Sequence, residues 1–152
     1  MPPTLRAGII LGLAVAAWTF VMGFTGRWGY FWLVIPLQVA LLTWALRGTA
    51  AMSGYGRQVW NGVSISLLAS LLIFAARYLF TAVVFPHYFQ ELEALGRQGM
   101  ARQGLSVEQI EAAVRAQAPM QTHRVNAMAG ALGTVVTGFF TSLVAAVWLR
   151  RK

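Results

Sequence analysis

The sequence predicts an all-α polytopic membrane protein: a single membrane domain over residues 1–152, with four transmembrane helices and a short amphipathic helical hairpin between helices three and four. Three observations predict it. Apolar residues make up 58% of the chain and charged residues only 11%, far below the roughly 25% charged usage of soluble domains. Most of the basic residues flank long uncharged runs instead of interrupting them. All four acidic residues fall within one stretch, residues 87–123.

A helix rising ~1.5 Å per residue needs about 20 mainly apolar residues to cross ~30 Å of hydrocarbon. Span one, 7–25, lies between Arg6 and Arg27; span two, 29–46, between Arg27 and Arg47; span four, 125–149, between Arg124 and Arg150. Each occupies an uncharged window of 19 to 25 residues. Span three, 59–86, follows Arg57 and runs apolar to Pro86, interrupted only by Arg77, so its helix is expected to exceed the bilayer thickness. Gly26 and Gly29 mark a tight turn between spans one and two, and the stretch from Gly48 to Gly56 marks the next. Arg6 ahead of Ala14, Ala16 and Ala17 also has the outline of a secretory signal, but the run is long for one and three comparable segments follow.

Residues 87–123 meet water. Tyr88, Leu92 and Leu95 recur at helical spacing, and Gly96, Gly99 and Gly104 are expected to weaken that helix. A second helix starts at Ser106, whose side chain is placed to cap it with Gln109 as capping-box partner. Val107, Ile110 and Val114 give it an apolar stripe that ends at Pro119.

The net charge of +8 would suggest nucleic acid as a partner in a soluble domain, but no basic cluster with interleaved aromatics is present. Lys and Arg at span ends suit lipid headgroups and set orientation. With both termini cytoplasmic, the inside holds six basic residues (Arg6, Arg47, Arg57, Arg150, Arg151, Lys152) and the outside five (Arg27, Arg97, Arg102, Arg115, Arg124) before Arg77 is assigned. The expectation is therefore a multi-pass protein of the bacterial inner membrane with both ends inside. Its partners are the bilayer and either a second copy or another membrane protein. Lack of cysteine excludes disulfides, thiolate catalysis and cysteine-ligated metals.

The candidate polar interface comprises Arg77, His87, Glu91, Glu93 and His123. An ionisable residue within a span is costly and often functional, but twenty residues past Arg57 is about 30 Å, the far headgroup boundary. Three readings stay open for Arg77: interfacial anchoring, a pair with Glu91 or Glu93, and ligand or ion binding. His87 and Glu91 share a helix face at i and i+4, and His123 closes the segment, yet these fall short of a zinc ligand set. No metal or cofactor is expected. Ser64, Ser66, Ser70, Thr137 and Ser142 lie within spans without an acid-base constellation, so no catalytic residues are assigned.

The fourth span carries Asn126, Gly130, Thr134, Gly138, Ser142 and Ala146 every four residues, and Gly130, Thr134, Gly138 and Ser142 form the candidate helix-packing seam. Gly8, Gly12 and Ala16 in span one, with Gly62, Ser66 and Ser70 in span three, repeat that spacing. A packing seam, a homodimer face and the lining of a narrow polar path all stay open for such stripes. Pro36 with Gln38 is expected to kink span two.

The stretch PHYFQELEALGRQGMARQGLSVEQIEAAV and the glycine-bearing final span resemble bacterial domain-of-unknown-function family 4199. Pro86, Tyr88, Phe89 and Glu91 match the opening of its hairpin; Gly104, Leu105, Ser106 and Ile110 match the turn and second helix; Gly130, Gly133 and Gly138 match the last span. The resemblance implies a short four-span protein and brings no catalytic residues. His87 stands where the family usually has an acid, so no role resting on that acid carries over. Together these readings describe a non-enzymatic accessory or interaction protein, with a small transporter or channel subunit as the alternative.

Overall fold

The computed structural model describes residues 1–50 and 54–149; the basic residues Arg150 to Lys152 and the centre of the turn from Gly48 to Gly56 lie outside them. Among the described residues there are six α-helices and no strand: α1 (Pro3–Thr25), α2 (Val34–Ala50), α3 (Tyr55–Leu79), α4 (Tyr88–Arg102), α5 (Val107–Gln117) and α6 (His123–Trp148). Three stretches are long and apolar enough to cross a membrane: α1, α3 with its continuation to Val84, and α6. The chain thus has the build of a membrane protein.

Local chemistry sets the helix ends. Pro3 opens α1, where its missing N–H is no loss, and Gly26 closes it in the left-handed conformation (φ 64°), its N–H reaching Gly23 O at 3.3 Å. The second expected span begins differently from the prediction. Trp28–Leu33 form a 3-10 segment, and α2 spans only 17 residues from Val34. Pro36 consequently falls in the first turn of α2, where a proline costs no internal hydrogen bond. It sets a helix start, not the expected mid-span kink.

α3 continues through a π turn, Phe80–Val84, in which Phe85 N–H donates to Phe80 O at 2.8 Å. Pro86 follows with no N–H to donate, and the helix stops. From Tyr55 to Val84 this rod has 30 residues, about 45 Å at a helical rise, against ~30 Å of hydrocarbon. α4 then runs through Gly96 and Gly99 to Arg102, so those glycines do not break it; each costs the helix only about 1 kcal/mol relative to Ala. Gly104 does end it: at φ 81° its N–H bonds Ala101 O (3.0 Å) while Leu105 N–H bonds Met100 O (3.3 Å), a Schellman closure. The capping box of α5 forms as the sequence predicts. Ser106 N–H donates to Gln109 Oε1 (2.9 Å) and Gln109 N–H to Ser106 Oγ (3.3 Å).

Packing follows the small residues. α3 lies between α1 and α6. Gly8 faces Leu68 and the Ile65 carbonyl, and Gly12 faces Leu72 and the Ala69 carbonyl. The two series rise together, so α1 and α3 run parallel. Against α6 the numbering runs oppositely: Gly62 meets Ser142, Ser66 meets Gly138, and Arg77 meets Gly130. α2 runs alongside α6 through Gln38 with Thr134 and Leu42 with Gly138. One end of the bundle therefore gathers the start of α1, the end of α2, the start of α3 and the end of α6. Small and polar residues face inward, with Ser66, Ser142 and Ala146 at 0% exposure, while Leu71 and Val144 point outward at 69% and 70%. Close backbone contact at the small residues joins the helices, beside a buried apolar core that includes Leu11, Leu42, Leu46, Ile65 and Ile73.

Candidate functional site

The far end of α3, the π turn and the start of α4 meet α6 at one junction. Phe20 and Phe24 of α1 begin a run of ring contacts: Phe20 on Phe80 (5.3 Å), Phe24 on Phe85 (5.4 Å), Phe80 on Phe85 (4.7 Å) and on Tyr88 (5.8 Å), Tyr88 on Phe89 (5.1 Å), and Phe89 on His123 (5.4 Å). Edge-on and tilted rings at these separations add about 0.5–1.5 kcal/mol per pair beyond their burial. Gly23 admits Phe80: a Cβ there would overlap its ring. These rings thus stitch α1, α3, α4 and α6 together.

Arg77 sits half-buried inside this frame. Its stem crosses α6 at Gly130, where a Cβ would stand 2.6 Å from Arg77 Nε. Tyr88 faces it, and the Tyr88 hydroxyl is hydrogen-bonded to the Asn126 side chain. Burial pushes the Tyr88 phenol above its ordinary range, with the nearby Arg77 charge and the Asn126 bond opposing that shift. Arg77, Tyr88, Asn126 and Gly130 are therefore one cluster. Asn126 and Gly130 lie 49 and 53 residues from Arg77 in the sequence; only the antiparallel α3–α6 register joins them.

The remaining predicted interface residues divide. His87 precedes α4 as its N-cap residue, exposed, with Nδ1 3.1 Å from Gln90 Oε1. It shares a face with Glu91 by spacing but engages Gln90. Glu91 is exposed in the first turn of α4, where a carboxylate suits the helix dipole. Glu93 bonds Arg97 Nε at 2.9 Å, and Arg97 also holds Glu111 of α5 at 2.5 Å. These bonds keep the Arg97 guanidinium above its ordinary range and the Glu111 carboxyl below its own, hydrogen bonding being the larger cause in each. Arg97 is the residue that sequence reasoning missed. Its i, i+4 spacing to Glu93 was a usable signal; its bond to Glu111 depends on the Gly104 turn. His123 opens α6 between Tyr78 (6.3 Å) and Phe89, and its Nδ1 is buried without a hydrogen-bond partner among the described residues. No group of three or more His, Cys, Asp or Glu side chains able to hold a metal occurs among the described residues.

The candidate seam lies against α3 and α2 in full. Ser142 and Thr134 hydroxyls donate to the Gly138 and Gly130 carbonyls (2.6 and 3.0 Å), and Thr134 also accepts from Gln38 Nε2 (3.2 Å). Gln58, 1% exposed, is a further buried polar residue that periodicity did not single out; its amide donates to Leu46 O (2.6 Å) and accepts from Thr49 Oγ1 (3.1 Å), tying the end of α2 to α3.

No curated protein and no solved structure is similar to the chain. Residues 6–151, nearly the whole chain, match the family described as "Protein of unknown function (DUF4199)", and the chain belongs to that family.

Proposed function

We propose that the chain is a four-span protein of the bacterial inner membrane, both termini cytoplasmic, that acts by association and not by catalysis, with the α4–α5 segment as its contact surface. The span that joins α1, α3 and α6 to make four is α2, the second in chain order. Its 17 residues, with the six of the 3-10 segment ahead of them, reach about 37 Å at the two helical rises, enough for a bilayer core. One observation carries the associative reading: α4 and α5 bury no residue, are fastened to each other through Arg97, and leave Leu95 and Val107 50% and 75% exposed. The buried hydroxyls and amides of the bundle, by contrast, are engaged with one another and with backbone carbonyls.

A photo-crosslinking residue placed at Leu95 or Val107 in native membranes is expected to capture a protein partner, either a second copy or another membrane protein. Capture no stronger than at the lipid-facing Val144 would overturn the reading. The alternative, a small transporter or channel subunit using Arg77 and the α6 hydroxyls, has less support, because Thr134 and Ser142 face α2 and α3. Ion flux into liposomes that fell on Arg77→Ala would revive it.

A further inference from the structure

At the end of the bundle opposite the α3–α4 junction, Arg6 of α1 and Arg47 of α2 flank a groove of about 720 Å³. Its apolar walls are Ala7 and Ile10 on one side and Trp44 and Ala45 on the other. Both arginines are exposed, and Trp44 presents 61% of its surface. Arg47 also lies 6.0 Å from the ring of Trp148 at the end of α6, which holds its guanidinium near the bundle.

Among the described residues no acidic side chain stands at this end. The four acidic residues of the chain are Glu91, Glu93, Glu108 and Glu111, all in α4 and α5 beyond the other end. The first turn of α1 adds no acid and no side-chain cap. Two guanidinium groups, each able to hold phosphate oxygens in a forked pair of hydrogen bonds, therefore stand at the ends of two spans above an apolar cleft. A free phosphate would answer the charge and leave the cleft empty of what fits it. The geometry points to an anionic phospholipid, its phosphate between Arg6 and Arg47 and an acyl chain laid between Ile10 and Trp44. This inference rests on the bilayer placement of α1 and α2 given above.

Native mass spectrometry of the full chain, delipidated in detergent and offered equal amounts of phosphatidylglycerol and phosphatidylcholine, tests it. The anionic lipid is expected to be retained on the order of tenfold more. Arg6→Gln with Arg47→Gln removes that preference, Arg6→Lys with Arg47→Lys keeps most of it, and Arg27→Gln at the other end leaves it intact. Equal retention of the two lipids, loss of preference with Arg27→Gln, or full displacement by millimolar inorganic phosphate overturns the proposal. Carbonate washing of the source membranes checks the bilayer placement separately: a chain that washes off fails that reading, whereas a chain that stays but shows no preference fails only this one.

Discussion

Ser142 of α6 fills the space in which Gly62 of α3 would carry a side chain: a Cβ on Gly62 would stand 2.7 Å from Ser142 Cβ. Four residues along each helix the roles reverse, and Ser66 of α3 occupies the notch at Gly138 of α6. Each serine also returns its proton to the carbonyl of the glycine on its own helix, Ser66 to Gly62 (2.9 Å) and Ser142 to Gly138 (2.6 Å). The hydroxyls are thereby satisfied in place, and the notches fix the register of the two longest rods.

Gly62→Ala is expected to destabilise the bundle by about 1–3 kcal/mol, the usual cost of overfilling a packed site. Serine is too short to swing aside. Adding Ser142→Gly should recover most of the loss, because it empties the space the new methyl enters. Unfolding in bicelles measures both, and an undiminished stability for Gly62→Ala alone would refute the interlock.

Gly104 and Gly96 should respond in opposite directions to alanine. Gly104 holds φ 81°, so Gly104→Ala is expected to cost about 1–2 kcal/mol and loosen the turn into α5. Gly96 lies inside α4 with open space around it, and Gly96→Ala should gain up to about 1 kcal/mol of helix stability. Hydrogen exchange across α4 in the full chain separates the two.

The link between α4 and α5 is expected to depend on acid. The bond to Arg97 holds the Glu111 carboxyl below its ordinary range, so the stabilisation is fully present above the unfolded value of about 4.3. It is lost as pH falls through the lower, folded value. Spin labels on the two helices should keep their distance from pH 7 to 5 and separate only below about pH 4. Arg97→Gln should remove that acid transition; a transition unchanged in this variant would assign the link elsewhere.

Much of this architecture was legible because it depends on local chemistry. Apolar run length marked the three helices long enough to cross a membrane, Ser106 with Gln109 marked the start of α5, and the four-residue spacing in α6 marked residues that lie against α2 and α3. Pro36 misled because its effect depends on where the helix begins: two residues past Val34 it is an ordinary first-turn proline. The polar contacts were illegible for a different reason. Gln38 with Thr134 and Tyr88 with Asn126 are set by which rods lie side by side, and small-residue stripes say that helices touch without naming the partner.

Tyr88 offers the sharpest check on the junction, since three surroundings act on one phenol. Burial disfavours the phenolate and raises the folded value above the unfolded one, while Arg77 and the Asn126 amide favour the phenolate and restrain the rise. The neutral phenol thus adds stability that is fully present below about pH 10 and is lost as pH climbs through the folded value. Absorbance titration of the full chain should show one late tyrosine component, absent in Tyr88→Phe. Arg77→Gln and Asn126→Ala should each move it later, because each removes a group that favours the anion. Tyr88→Phe should also cost about 1 kcal/mol at neutral pH by leaving the Asn126 amide without its phenol partner. A late component that persisted in Tyr88→Phe, or moved earlier in Arg77→Gln, would overturn the burial of Tyr88 at the start of α4 beside Arg77.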